Sequence, residues 1–158
     1  REVLVIGEVR TKLVNMLLSF IVMAGFILIS GVGFSIQIVL LPAIVLIEYL
    51  FALGLALLVA AATVYLRDLE YVINVVLMAW VWGSPIMYTM DGIDNVAFLR
   101  VLQINPFTYI VGVYQQIFYY HQWPAINYFV IPLLEGIVCV LVGFSVFEKL
   151  KKHFAEEM

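Results

Sequence analysis

The side chains that could do acid–base, nucleophilic or metal chemistry are eleven carboxylates, two histidines and one cysteine, and their spacing gathers them into no reaction centre. Glu48, Asp91 and Glu135 could each act as an acid or base on a membrane-embedded substrate, yet they lie far apart in sequence and no metal-ligand cluster accompanies them. Cys139 sits alone in an apolar run, which offers neither a disulfide nor a metal site. His121, beside Trp123, has no second ligand at metal-binding spacing. No Gly-x-x-x-x-Gly-Lys-Ser/Thr loop is present to cradle a nucleotide. No metal or cofactor is therefore expected on the chain itself, and no catalysis.

The elements that carry these residues are set by composition. Hydrophobic residues make up 65% of the 158 residues and charged ones 12%, with a mean hydropathy of +1.10. That leaves too little polar surface to cover a soluble globule, so lipid must be the solvent. The net charge of −3 matters less than where Lys and Arg fall relative to the apolar runs. The first residues lack the pattern of a signal peptide, and a start at Arg1 suggests a chain whose front part lies elsewhere.

Four apolar runs have the length of a membrane span. The charge-free stretch between Lys12 and Glu48 is too long for one crossing of a hydrocarbon core ~30 Å thick, which needs ~20 residues. It is expected to turn at Gly31–Gln37, giving spans over 13–34 and 37–66, the second with Pro42 and Glu48 in its first part. The charged loop 67–70 follows, then a span over 71–90 and a last one over 125–147 that ends in the basic tail 148–158.

Between them, residues 91–124 form the most polar region. Residues 101–120 have the length of a span but contain Gln103, Asn105, Pro106, Thr108, Gln115 and Gln116, which are costly against lipid. With four crossings, seven of the eight basic residues fall on the cytoplasmic side and only Arg100 outside, as the positive-inside rule requires. A fifth crossing would separate the Lys-rich tail from the Arg67 loop. Residues 101–120 are therefore predicted to dip in and return on the outer face, turning at Asn105-Pro106. The fold class expected is an all-α integral membrane protein: four transmembrane helices, an outer re-entrant helical hairpin, and an amphipathic cytoplasmic helix over 1–12, where Val3, Ile6, Val9 and Leu13 recur at helical spacing.

Several residues in this frame are candidates for function. Glu135 lies ~21 Å from Lys149 at helical rise, below the outer interface, so it should face protein or an aqueous path. Glu48 lies ~27 Å from Arg67 by the same rise, near the outer surface, where its carboxylate reaches water. Aromatic residues cluster toward the outer half, among them Trp80, Trp82, Tyr88, Phe107, Tyr109, Tyr114 and Trp123. Some form an interfacial belt, whereas Tyr109 and Tyr114, on the hairpin, present apolar ring faces with a hydroxyl tip suited to sugar rings.

The order of these features resembles the permease subunit of ATP-binding-cassette type-2 exporters, especially those that move lipid-linked polysaccharide, O-antigen or teichoic acid. Arg1-Glu2-Val3-Leu4 is similar to the back of that family's Phe-Pro-Arg-Glu segment, Arg67-Asp68 to a charged pair at a helix end, Ser84-Pro85-Ile86-Met87-Tyr88 to its Ser-Pro-Ile-x-Tyr, and Asn105-Pro106-Phe107 to its Asn-Pro segment. After Tyr114 the family commonly has Arg-Asp, and here Gln115-Gln116 stands instead. The resemblance implies six spans, of which this chain holds the last four, in the bacterial inner membrane with both ends of the chain cytoplasmic. It implies a homodimer joined to a separate ATPase subunit that binds ATP and Mg, a lipid-linked glycan as cargo, and no nucleic acid. It further implies coupling to the ATPase through Arg1, Glu2, Val3, Leu4 and Ile6, a cytoplasmic entrance at Arg67 and Asp68, and a gate or path along Ser84, Pro85, Tyr88, Asn105, Pro106, Tyr109, Tyr114 and Glu135. A drug or small-lipid exporter, a membrane enzyme acting on lipid-linked sugars, and a non-catalytic anchoring protein are the alternatives.

Overall fold

In the computed structural model, which describes residues 2–31, 35–65, 69–88, 93 and 95–154, every regular element is helical. They are α1 (Glu2–Ser30), α2 (Leu41–Tyr65), α3 (Leu69–Trp82), α4 (Val96–Ile104), α5 (Pro106–Gln115) and α6 (Asn127–Phe154). A 3-10 segment, Ile36–Leu40, leads into α2, and a π-helical turn, Gln116–Tyr120, continues α5. Leu4–Ser30, Ile36–Thr63 and Asn127–Lys149 are long and apolar enough to cross a bilayer. α4 and the helix over 106–120 would together have the length of a fourth span, but they are bent by 93° at Asn105.

Three sequence expectations change here. The separate helix over 1–12 merges into the first span, because α1 runs unbroken from Glu2 to Ser30. Gly7 interrupts that stretch, but a lone glycine costs about 1 kcal/mol, too little to end so long a helix. The span expected over 71–90 stops at Trp82. Pro85 has no N–H to give the preceding turn and its ring clashes with that turn's carbonyl, so after the last α-type bond, from Gly83 to the Ala79 carbonyl, Ser84 closes a tighter three-residue bond to the Val81 carbonyl. With 14 residues, α3 extends only about 21 Å, short of the ~30 Å core. Finally, α4 and α5 meet at a right-angle corner rather than folding back as an antiparallel hairpin.

α2 and α6 form the spine and run parallel, since their contacts climb together. Gly136 meets Ile47 and Phe51, Gly54 meets Cys139 and Val140, Gly143 meets Gly54 and Leu57, and Phe147 packs with Leu57 and Ala61. A Cβ on Gly54 would stand 2.6 Å from the Cys139 carbonyl carbon, and one on Gly143 2.7 Å from the Gly54 oxygen. The two backbones therefore touch with no side chain between them. Between helices in lipid, where tails are as apolar as Leu, such close packing is the main source of attraction.

α1 runs antiparallel to α2. Val5 packs on the Leu57, Ala61 and Phe147 cluster near one end, and Phe20 reaches Tyr114, which is bonded to Glu48, further along. α5 is also antiparallel to α2, with Phe107 on Phe51, Tyr114 on Glu48 and the His121 carbonyl on Gln37. Because α2 and α6 point the same way, the chain between them makes one net passage back across the bundle. α3 carries it to the level of Asn105, and α5 carries it from there to the level of Gln37.

The glycine contact gives a direct test. Gly54→Leu should destabilise the detergent-solubilised protein by about 1–3 kcal/mol, as overpacking does, read as a lower unfolding midpoint. Gly25→Leu, where an added Cβ meets nothing within 4 Å, should leave the midpoint nearly unchanged.

Candidate functional site

The dipeptides Ser84-Pro85 and Asn105-Pro106 fold into one cluster. Asn105 takes the extended backbone, φ −80° and ψ 117°, that a following proline demands, and this ends α4. Pro106 then opens α5 at the first helical position, where its missing N–H is no loss. The Asn105 side chain fills both roles of an amide. Its Oδ1 accepts from the Phe107 backbone N–H at 3.0 Å and from the Trp80 indole at 2.8 Å. Its Nδ2 donates to the Gly83 carbonyl at 3.0 Å and to Ser84 Oγ at 2.9 Å. Ser84 in turn donates to the Trp80 carbonyl at 2.9 Å, so one side chain caps α5 and staples it to the end of α3.

The corner lies at depth. Phe107 packs edge-on against both Trp80 and Phe51, with ring centroids 6.0 and 5.3 Å away. Phe51 is about 15 Å along α2 from Leu41 at a rise of about 1.5 Å per residue. Ser84, Pro85 and Thr108 are almost wholly buried there. The Pro85 carbonyl accepts from Gln115 Nε2 at 2.7 Å, so the residue that stands where the resembling family has arginine makes a neutral hydrogen bond in this chain.

Further along α5 the helix is held twice more. The Tyr114 hydroxyl donates to Glu48 Oε2 at 2.7 Å, with Phe20 and Phe118 beside the ring. Gln37 Nε2 donates to the His121 carbonyl at 3.0 Å, where His121 adopts φ 51°. On the opposite side Tyr109 meets the Tyr128 ring edge-on at 5.7 Å, and Gly112 lets that ring approach so closely that a Cβ would stand 2.6 Å from it.

The structure brings Ser84, Pro85, Asn105 and Pro106 together and places Tyr109 and Tyr114 on the helix that starts there. Tyr88 stands apart, its hydroxyl donating to the Trp82 carbonyl and its ring near Phe98. Glu135 is part-buried, within electrostatic reach of Tyr109, and its Oε2 is buried without a hydrogen-bond partner, as is Thr108 Oγ1. Leu4 is exposed and Ile6 half-buried on α1, which also carries Glu2 and Val3. Arg1, Arg67 and Asp68 lie outside the described residues. Gln37, Trp80 and Glu48 join the site through partners that no local spacing reveals, although the i, i+4 pair Trp80 and Ser84 ahead of Pro85 is a visible trace. Chemically the corner is built of amides, hydroxyls, an indole and backbone carbonyls, a set suited to holding a helix turn in place.

Asn105→Ala removes the partner of four polar groups at a cost of about 1 kcal/mol or more each, and should lower the unfolding midpoint in detergent far more than Ser84→Ala. Asn105→Asp, which sets a carboxyl oxygen against the Gly83 carbonyl in a buried site, should be at least as destabilising as Asn105→Ala.

The sequence matches the profile of the ABC-2 type transporter membrane domain over residues 5–119. It is 31% identical to the O-antigen export system permease protein RfbA of Myxococcus xanthus over 158 residues, covering 99% of this chain and 61% of that protein. It is 27% identical to a protein of the same name from Klebsiella pneumoniae over 159 residues, covering 99% of this chain and 60% of that one. The chain thus spans about three-fifths of the length of these relatives. No solved structure matches it. A helical bundle with a polar corner at depth and a family match over most of its length place this chain among the ABC-2 type transporter membrane proteins.

Proposed function

We propose that this chain is the membrane-spanning part of a permease subunit that exports a lipid-linked polysaccharide of the O-antigen kind, or a related teichoic acid, across the bacterial inner membrane. The observation that supports it best is the Asn105 corner. A polar break in the helices at membrane depth is tolerated only where protein or a water-filled path covers it, and a static anchor has no need of one. The cargo class follows that of its relatives, which are O-antigen export permeases.

ATP and Mg would bind a separate ATPase subunit, and a second copy of this chain would complete the path. The ATPase would push on the first turns of α1, at Arg1, Glu2, Val3, Leu4 and Ile6, while Arg67 and Asp68 border the cytoplasmic entrance. Movement of this kind needs two states that nucleotide biases differently. The corner supplies a hinge: α5 stays stapled at Asn105 while its outer half leaves Glu48 and Gln37. Tyr109, Tyr128 and Glu135 would then meet the sugar chain. In the membrane, α1 runs outward, α2 inward, α3 with α5 outward and α6 inward, so both ends lie in the cytoplasm and the basic tail obeys the positive-inside rule.

Single cysteines in a Cys139→Ser background of the full-length protein test this arrangement with an impermeant thiol reagent. Trp123→Cys should label from outside, Arg67→Cys and Phe154→Cys only from inside, and Thr108→Cys poorly from either. A cytoplasmic Trp123 would overturn the topology and the export reading with it. Tyr109→Ala should cut surface delivery of polysaccharide several-fold while leaving association with the ATPase intact.

A further inference from the structure

α1 meets the rest of the bundle with one face, on which Val5, Val9, Leu13, Met16 and Phe20 recur at helical spacing. Val5 packs on the cluster that holds Phe147, which directly precedes Glu148-Lys149. In the proposed orientation this end of α1 therefore lies at the inner surface, with Lys12 two turns further along. At the other end of the face, Phe20 rests on the Tyr114 ring with centroids 5.8 Å apart. Because α1 is unbroken from Glu2 to Ser30, it moves as a rod, and a displacement of its first turns is delivered to α5 at this ring contact.

Glu48 stands where two routes from α1 converge. Its Oε2 accepts from the Tyr114 hydroxyl at 2.7 Å, and its side chain also lines a groove of about 290 Å³ between α1 and α2. The α1 side of that groove is formed by Val9, Leu13 and Met16, with Lys12 among them. Opposite charges from two helices thus face one mostly apolar space, where their attraction is far stronger than in water. In this structure Glu48 nevertheless gives its oxygen to Tyr114. A part-buried carboxylate that lost this donor with nothing in exchange would be left uncompensated, a cost that keeps α5 docked.

We infer that Glu48 is the positioning residue that couples α1 to α5, and that it does so by changing partners. With α5 docked, the carboxylate holds the Tyr114 hydroxyl. When α1 is pushed outward, Phe20 displaces the Tyr114 ring, and Lys12 is carried along the groove until its ammonium, on a long flexible stem, takes over the carboxylate. The exchange keeps the charge compensated in both states and frees the outer half of α5. It rests on the export reading, in which nucleotide drives α1, whereas the choice of Glu48 and Lys12 comes from the groove they share.

Ile117, 1% exposed in the cluster that joins α5 to Ile44 and Ile47 of α2, serves as the reporter. The parent for the test is the full-length permease carrying Ile117→Cys and Cys139→Ser, assembled with its ATPase in lipid nanodiscs, and the readout is its rate of reaction with a charged maleimide. ATP should raise that rate about tenfold, in proportion to the undocked population. Tyr114→Phe, which removes the hydroxyl and keeps the ring, should raise it about threefold without nucleotide, as the loss of one hydrogen bond allows. Lys12→Met, and Glu48→Gln, which still accepts from Tyr114 but carries no charge, should abolish the ATP response while the ATPase still copurifies. Lys12→Arg should restore it. An ATP response that survives Lys12→Met, or a Tyr114→Phe rate equal to the parent's, would overturn the exchange alone. A parent rate indifferent to ATP would overturn the hinge of the export reading and the exchange with it, so the parent tells the two failures apart.

Discussion

Inside a bilayer no water stands ready to take up a broken backbone hydrogen bond, and the whole arrangement of α3, α4 and α5 follows from that constraint. The chain interrupts its helices at Ser84-Pro85 and again at Asn105-Pro106, and each proline takes away a donor. One amide side chain answers both breaks. Asn105 occupies the indole of Trp80, the carbonyl of Gly83, the hydroxyl of Ser84 and the free N–H of Phe107. No other uncharged side chain of similar size but glutamine offers two donors and an acceptor on one planar group, and the shorter asparagine is the one suited to capping a helix start. The corner can therefore sit among aromatic rings at depth without a buried charge.

Stiffness is divided unequally across the molecule. α2 and α6 meet glycine to backbone at Gly54 and Gly143, which leaves few side chains there whose rotamers could adapt to a shift. α5 lies on that pair through a compact apolar cluster of Ile44, Ile47, Ile110, Val113 and Ile117. α3, by contrast, exposes most of its surface and touches α2 only lightly. Any change of shape is concentrated where polar bonds, rather than interlocked backbones, set the geometry.

Much of this was legible in the sequence, and the exceptions have physical causes. The second and last spans follow from apolar length and flanking charge, which report the bilayer directly. The Asn105-Pro106 turn follows from proline's restriction on the residue before it. The early end of α3 was obscured because Ile86, Met87 and Tyr88 keep the hydropathy high after the helix has stopped, so an average over the run conceals Pro85. The start of the first helix is hidden because Lys12 reads as the edge of the apolar run, whereas α1 continues unbroken through it from Glu2 to Ser30. Gln37, Trp80 and Glu48 find partners 84, 25 and 66 residues away, distances over which no local pattern carries information.

The π-helical turn at Gln116–Tyr120 marks a place where chain length and helix phase are decoupled. Such a turn holds one residue more than an α-helical turn would, and here it ends with His121 in a left-handed conformation and its carbonyl aimed at Gln37. Individual side chains such as Tyr119 and Tyr120 project outward and leave that backbone path unaffected. Losing a single residue would let the turn close at α-helical pitch with nearly the same phase, so the backbone beyond it would keep its direction. Between Gln115 and Gln122 the chain therefore absorbs a change of one residue that would swing everything downstream if it fell in the α-helical part of α5.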